Sequence, residues 1–338
     1  MATRPDGDTN PLRHSRRRHG WAASTVRPER ERILQKSPPV RFAVLVNQAA
    51  GTASAGKITQ ESVEAAFRDA GADAVVEKIP GEEMAERARA AVRAGFDAVV
   101  AGGGDGTVRC VAGVLAGTGT ALGVLPLGTL NHFARDLKIP EDLPGAAQAL
   151  AAGNVRALDL GEVNGEVFVN TSVLGFYPPV VQERDRQREH QGRHKWVAAA
   201  FALAKVLPRT PALRLSFQVE GQEVKRRTRF VLVGNNEYSM SFFTPGERNL
   251  FDSGNLYLYI ANCPDRLGLL RLALLALVRD ATRSDRFDAW STPEFTIDVR
   301  RKRKKPLPVF LDGEVVLLAP PLRYRVRPRE LRVLVPWG

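Results

Sequence analysis

The sequence predicts an α/β protein whose first half is a parallel sheet and whose second half is mainly antiparallel β. Three observations predict it. Four short apolar runs alternate with helix-like stretches up to about residue 137; such alternation builds βαβ units and a parallel sheet. Near Val155 the pattern changes to short strands punctuated by Asn-Gly and similar turns. The length, 338 residues, suits about two domains of the usual ~100–200 residues.

The elements follow in order. "RFAVLVN" (41–47) is a buried-strand pattern, and residues 58–70 continue it as a helix. "DAVVEKI" (73–79) is a second strand. "EEMAERARAAVRAG" (82–95) is a helix closed by Gly95, a residue suited to the left-handed C-terminal position. "DAVVAGGG" is the third strand and "TVRCVAGVLAG" the helix after it. "ALGVLPLGT" is the fourth strand, and "LNHFARDL" opens another helix. Beyond residue 155, "EVNGEV" signals a tight hairpin and "LRLSFQVEGQEVKRRTRFVLVGN" another. A helical insert is expected near 194–207, and residues 1–38, rich in arginine and poor in apolar side chains, are expected to be a disordered basic tail.

Composition narrows the function classes. Apolar residues make up 44% and charged residues 25%, ordinary for a soluble globular chain. Cys110 and Cys263 form no CxxC pair, which argues against a disulfide framework or a zinc site and fits a reducing compartment. The opening residues lack an apolar core segment, so no secretory leader is expected. The longest apolar run, residues 267–278, contains Arg271 and falls short of the ~18 residues that suggest a membrane span; it predicts a packed amphipathic helix. The net charge of +12 favours anionic partners, and residues 300–305, "RRKRKK", concentrate part of it. No aromatic RNA-binding motif or zinc finger accompanies the charge, so nucleic acid is not expected.

Three polar loops hang on apolar strands: "NQAAG" (47–51), "GGGDGT" (102–107) and "GTLN" (128–131). In an open parallel sheet, ligands bind outside the carboxyl ends of the strands, so the loops share one edge. Glycines without Cβ let the backbone N–H groups of 102–106 approach phosphate oxygens, and the helix that follows points its positive end at the same place. Asp105 would repel a phosphate on its own; magnesium between carboxylate and phosphates resolves the conflict. Thr107 and Thr129 can donate hydroxyl hydrogen bonds. A purely structural turn with Asp105 as helix cap competes with this reading for a single loop, less so for three loops together. Two other motifs are weaker. "GTASAGK" (51–57) fits GxxxxGK, but Ile58 stands where a P-loop needs Ser or Thr; the spacing of Gly102 and Gly104 is half a dinucleotide fingerprint. Far downstream, "VFLDGEVV" (309–316) places Asp312 and Glu314 around Gly313. It reads either as a simple Asp-Gly hairpin or as a carboxylate pair able to deprotonate a hydroxyl.

Taken together, "VNQAAG", "AGGGDGTV", "GVLPLGTLNHFARDL", "FVNTSVLGF", "VGNNEY" and "FLDGEVV" resemble the diacylglycerol kinase catalytic-domain family of lipid kinases in its bacterial soluble form, over roughly residues 41–338. The resemblance implies an ATP-binding α/β domain at 39–154, to which 322–338 returns, a β-sandwich lipid-substrate domain at 155–321, and ATP and Mg2+ in the cleft. It implies transfer of the γ-phosphate to a lipid hydroxyl, diacylglycerol or a related lipid, by a cytoplasmic, peripherally membrane-associated enzyme. An anionic membrane surface and a second copy of the chain are partners it admits. A soluble-acceptor kinase resembling NAD kinases and a non-catalytic nucleotide-binding protein are the alternatives. The roles implied are Asn47 and Gly51 in the first nucleotide loop, Gly103, Gly104, Asp105, Gly106 and Thr107 at the phosphates, and Thr129 and Asn131 in the second loop. Glu314 is implied as proton acceptor with Asp312 as its partner, and Asp105 and Asp252 as metal ligands. The chain departs from the family in carrying Arg109 where Asn is usual, and "FDSGN" (251–255) where Asp-Asp-Gly is usual.

Overall fold

In the computed structural model, which describes residues 40–51, 58–183, 205–206, 210–219, 222–235, 237, 252–262, 287–300 and 305–337, the four apolar runs become parallel strands. They are β1 (Arg41–Asn47), β2 (Asp73–Ile79), β3 (Ala98–Gly103) and β4 (Ala121–Pro126), in spatial order β2-β1-β3-β4. β3 and β4 are buried along their whole length, because helices cover both faces of such a sheet and leave no polar side. β4 ends at Pro126, short of the predicted 129; proline has no N–H to continue a ladder.

The helices are α1 (Gln60–Asp69), α2 (Met84–Arg93), α3 (Asp105–Leu115), α4 (His132–Asp136) and α5 (Leu143–Ala151). α1 starts at a capping box in which the Thr59 side chain accepts from Ser62 N–H and the Ser62 hydroxyl from Thr59 N–H. It buries Val63, Ala66 and Phe67, and each fully buried Val or Phe is worth roughly 1.5–3 kcal/mol. α3 begins at Asp105 rather than at the predicted Thr107: Gly104 is the extended N-cap, and Asp105 and Gly106 already belong to the first turn.

The second half supplies β5 (Asn154–Val163), β6 (Glu166–Phe168), β7 (Thr171–Gly175), β8 (Leu213–Val219), β9 (Gln222–Thr228), β10 (Phe230–Gly234), β11 (Leu256–Ala261), β12 (Phe287–Thr292), β13 (Glu294–Val299), β14 (Leu307–Leu311), β15 (Glu314–Leu318) and β16 (Leu322–Val335). The predicted hairpin at "EVNGEV" is β5–β6. Its loop residues Asn164 and Gly165 both have positive φ, as a two-residue hairpin turn requires.

The long β16 connects the two kinds of sheet. It pairs parallel with β4 at Val333 and Leu122, antiparallel with β5 along most of its length, and antiparallel with β13 near its start. One ten-stranded sheet therefore runs β2-β1-β3-β4-β16-β13-β8-β9, with β5 and β6 on a branch. A six-stranded antiparallel sheet, β12-β11-β10-β7-β14-β15, faces its antiparallel end. Phe168, Phe217, Phe295 and Tyr324 from one sheet and Val231, Leu258, Ile260 and Val309 from the other fill a common core. The protein is thus α/β, with a parallel-rich N-terminal part and an antiparallel C-terminal sandwich, as the sequence predicts. Among the described residues no helix is long and apolar enough to cross a membrane. The basic tail, the GxxxxGK stretch after Gly51, most of the predicted helix at 194–207, the apolar run at 267–278 and residues 301–304 of the basic run lie outside the described residues.

Candidate active site

The three loops meet through hydrogen bonds at the carboxyl edge of β1, β3 and β4. Asn47 ends β1; its Oδ1 accepts from Ala49 N–H at 2.9 Å, and its Nδ2 donates to Thr107 Oγ1 at 3.1 Å. Gly51, at φ 65, closes the described part of the first loop. Gly103 leaves room for Thr107, whose side chain a Cβ there would overlap. Gly104 and Gly128 bring the second and third loops into backbone contact: a Cβ on Gly128 would lie 2.5 Å from Gly104 Cα.

Asp105 fastens those loops together. Its Oδ1 accepts from Phe133 N–H at 3.1 Å and its Oδ2 from His132 N–H at 3.3 Å. The carboxylate thus caps α4, not its own helix, and it sits where the α4 amides carry partial positive charge. Gly104, the α3 N-cap, gives that helix no side-chain cap, so the first-turn amides of α3 have no such acceptor. Asn131 lies inside the third loop. It is buried, at φ 48; its Oδ1 accepts from Gly128 N–H, and its Nδ2 donates to the carbonyls of Pro126 and Gly128. Its amide shapes the loop, whereas Thr129 is exposed on it.

The distant "LDGE" segment arrives at the same place. Leu311 and Glu314 are register partners, with Asp312 (φ 43) and Gly313 (φ 112) as the two-residue turn between β14 and β15. Asp tolerates the left-handed region better than most residues, and glycine freely. The turn rests on the start of α3: a Cβ on Gly313 would lie 3.3 Å from Gly106 N, and one on Gly106 would lie 2.9 Å from Glu314 Oε1. Any larger residue at 106 would push Glu314 away. The Glu314 side chain is 53% exposed, and its Oε2 accepts from Arg109 Nη2 at 2.6 Å.

Asp312 differs sharply from Glu314. It is buried, and three consecutive amides donate to it: Val169 to Oδ2 at 2.6 Å, Asn170 and Thr171 to Oδ1 at 3.0 and 2.8 Å. It locks the turn onto the entrance of β7. Burial pushes its carboxyl up to about 7, the three amide bonds pull the other way, and the nearby Asp105 charge adds to the rise. The folded protein therefore binds this proton more tightly than the unfolded chain. The stability so gained is fully present below the unfolded value near 3.8 and is lost as pH rises through about 7. Asp312→Asn is expected to flatten the fall in melting temperature between pH 4 and 8; parallel melting-temperature curves for parent and variant would refute this.

Asp252 is exposed on the turn that leads into β11. That turn is tied by protein groups: Gly254 N–H donates to Asp159 Oδ2 at 2.8 Å, and Arg329 N–H to Asp159 Oδ1 at 2.9 Å. Sequence reasoning missed Asp159, a carboxylate inside the apolar strand β5, which was its only signal. It also left Asn170 without a role. That side chain is buried beside Asp312, and neither of its amide atoms has a hydrogen-bond partner among the described residues. Glu166, the second partner of Arg109, was likewise missed; it looks in sequence like any solvated hairpin residue.

Residues 41–163 match the Diacylglycerol kinase catalytic domain. A protein of Pseudomonas aeruginosa described as "Probable lipid kinase YegS-like" is 46% identical over 125 residues, covering 36% of this chain and 41% of that relative. The match thus spans about two fifths of that relative's length. An uncharacterised protein of Synechocystis is 23% identical over 240 residues, 70% of this chain and 54% of that protein. A crystal structure from Bacillus anthracis described as a diacylglycerol kinase superposes with a TM-score of 0.63 at 21% identity, over 89% of this chain and 98% of that one. At that identity the likeness concerns the fold.

Proposed function

We propose that this chain, whose residues 41–163 match the diacylglycerol kinase catalytic domain, is an ATP-dependent lipid kinase that phosphorylates a lipid hydroxyl. The acceptor is diacylglycerol or a related lipid. The observation that carries the reading is the seating of the 312–314 turn on the glycine loop, which puts an exposed carboxylate beside Gly106 from more than 200 residues away.

The residues present fit the groups this reaction needs. The α3 amides without a side-chain cap and the bare backbone at Gly104 and Gly128 suit phosphate oxygens. Each Asp105 oxygen accepts one N–H and keeps a lone pair, so either oxygen could still serve as a hard ligand to Mg2+. That ion, when bound, neutralises charge on the transferring phosphoryl group. Thr107 Oγ1 accepts from Asn47 and still has its own proton to donate. Glu314 takes the acceptor's hydroxyl proton on Oε1 as the acceptor oxygen bonds to the γ-phosphorus; the bond to the bridging oxygen breaks, and its electron pair leaves with ADP.

A cavity of about 480 Å³ supports a lipid acceptor. Its apolar wall includes Leu174, Pro211, Leu213, Leu307 and Pro308. β7 and β14 run from this cavity to the carboxylate turn: Leu174 lines it, and Thr171, three residues away, binds Asp312. Three residues of strand span about 10 Å, the reach of a short stretch of acyl chain. The net charge of +12 supports docking at an anionic membrane surface.

The test is ATP turnover against a panel: diacylglycerol in anionic vesicles, a sphingoid base in the same vesicles, NAD, and no acceptor. Turnover is expected only with the vesicle lipids, and highest with diacylglycerol. Phosphorylation of NAD alone would point to a soluble-acceptor kinase. ATP binding with no turnover on any acceptor would make the protein a nucleotide-binding module.

A further inference from the structure

Arg109 stands one turn into α3, facing two carboxylates from other parts of the chain. Its Nη2 donates to Glu314 Oε2 at 2.6 Å and its Nη1 to Glu166 Oε2 at 3.3 Å. The arginine side chain is 10% exposed, against 53% for Glu314 and 48% for Glu166. Its Nε is buried without a hydrogen-bond partner among the described residues.

As a stabilising device this arrangement is poor. Burying a guanidinium carries a desolvation cost, and an unpaired buried donor adds to it. The two glutamates are exposed enough for water to solvate them. As a positioning device it is effective. Glu314 follows a two-residue turn and carries a long, flexible side chain, so nothing in β15 alone fixes its carboxylate. A short charge-assisted bond to Oε2 does fix it, and it leaves Oε1 as the oxygen beside Gly106.

We propose that Arg109 is the positioning residue that holds the Glu314 carboxylate over the first turn of α3, with Oε1 turned to the acceptor hydroxyl. The proposal rests on the phosphoryl-transfer reading above. Glu166 supports it by holding the other arm of the guanidinium, so the plane of the fork is set from two sides.

The experiment measures kcat, KM for ATP and melting temperature for the full chain, for Arg109→Met, Arg109→Lys and Glu314→Gln, and for the double variant Arg109→Met/Glu314→Gln, with diacylglycerol in anionic vesicles. Arg109→Met removes the charge and fills the space with an apolar chain. Its melting temperature is expected to equal or exceed that of the parent, while kcat falls about 10- to 100-fold and KM for ATP stays within about twofold. Arg109→Lys, which keeps the charge but not the fork, is expected to fall between the two. In the Glu314→Gln background, Arg109→Met is expected to cost no more than about a further twofold, because residues that act as a unit are not additive. Equal losses in both backgrounds, kcat within twofold of the parent for Arg109→Met, or failure of Arg109→Met to fold would each overturn the proposal and make the arginine a structural ion pair. A parent that turns over no lipid removes the kinase reading and this proposal together; an active parent with additive losses removes this proposal alone.

Discussion

Glu314→Gln is expected to lower lipid-dependent ATP turnover by about two to four orders of magnitude, the range of a lost general base, while leaving the melting temperature nearly unchanged. Glutamine has nearly the same shape and keeps a carbonyl oxygen able to accept from Arg109 Nη2, so the hydrogen-bonded corner stays assembled. The Glu314 side chain is half exposed, and Glu166 remains as a counter-charge to the buried Arg109. What disappears is the capacity to take a proton. ATP binding should persist, because Glu314 meets α3 through Gly106 and the Arg109 side chain, not through the first-turn amides of Asp105 or Thr107. Initial rates with diacylglycerol vesicles, alongside calorimetric ATP binding, give both readings. Turnover within fivefold of the parent would remove Glu314 as proton acceptor and leave Asp312 as the remaining carboxylate of the turn.

Asp105→Asn is expected to cost about 10²–10³-fold in turnover, the size of effect seen when one preorganised electrostatic group is removed from a reaction centre. The proposed function adds a second task to the observed helix cap, and the substitution separates them. Asn can still accept one of the two α4 amides, so the helix cap is only partly lost, and stability should fall by about 1 kcal/mol or less. The negative charge available to a divalent cation is lost completely. The half-saturating Mg2+ concentration should therefore rise at least about tenfold, with activity still depressed at saturation. Near-normal turnover at saturating Mg2+ would reduce Asp105 to a strut between loops.

The chain's local chemistry already wrote much of this into the sequence. Apolar runs without alternation could only be strands covered on both faces, and they are. "NG" at 164–165 and "DG" at 312–313 specify two-residue turns because those residue types tolerate positive φ, and both turns form. The glycines at 103, 104 and 106 announce a backbone that something must approach. Two of those reasons were internal: Gly103 makes room for Thr107 and Gly106 for Glu314.

Other parts depend on partners that are distant in the chain, and no local pattern names a distant partner. Asn131 and Asp105 look alike in sequence as polar residues in glycine-rich loops; one bonds only within its own loop, and the other joins two loops. Asp312 and Glu314 stand two residues apart, yet one is buried under three amides from 169–171 and the other is exposed beside Arg109. Asp312 lies in the turn, at φ 43, so strand alternation does not relate the two side chains, and only the packing of β14 against β7 decides which one loses water. Arg109 read as a departure from the family pattern the sequence resembles; the structure pairs it with Glu314, 205 residues away.

By itself, then, the sequence determined the strands, the helices, the tight turns and the places where backbone is left bare, because propensity, periodicity and steric freedom act over a few residues. Only the tertiary structure decided which carboxylate is buried, which is held by an arginine, and which caps a neighbouring helix. Desolvation and hydrogen bonding depend on what surrounds a group in space, and here that surrounding comes from β6, β7, β14 and α4 folding onto the start of α3.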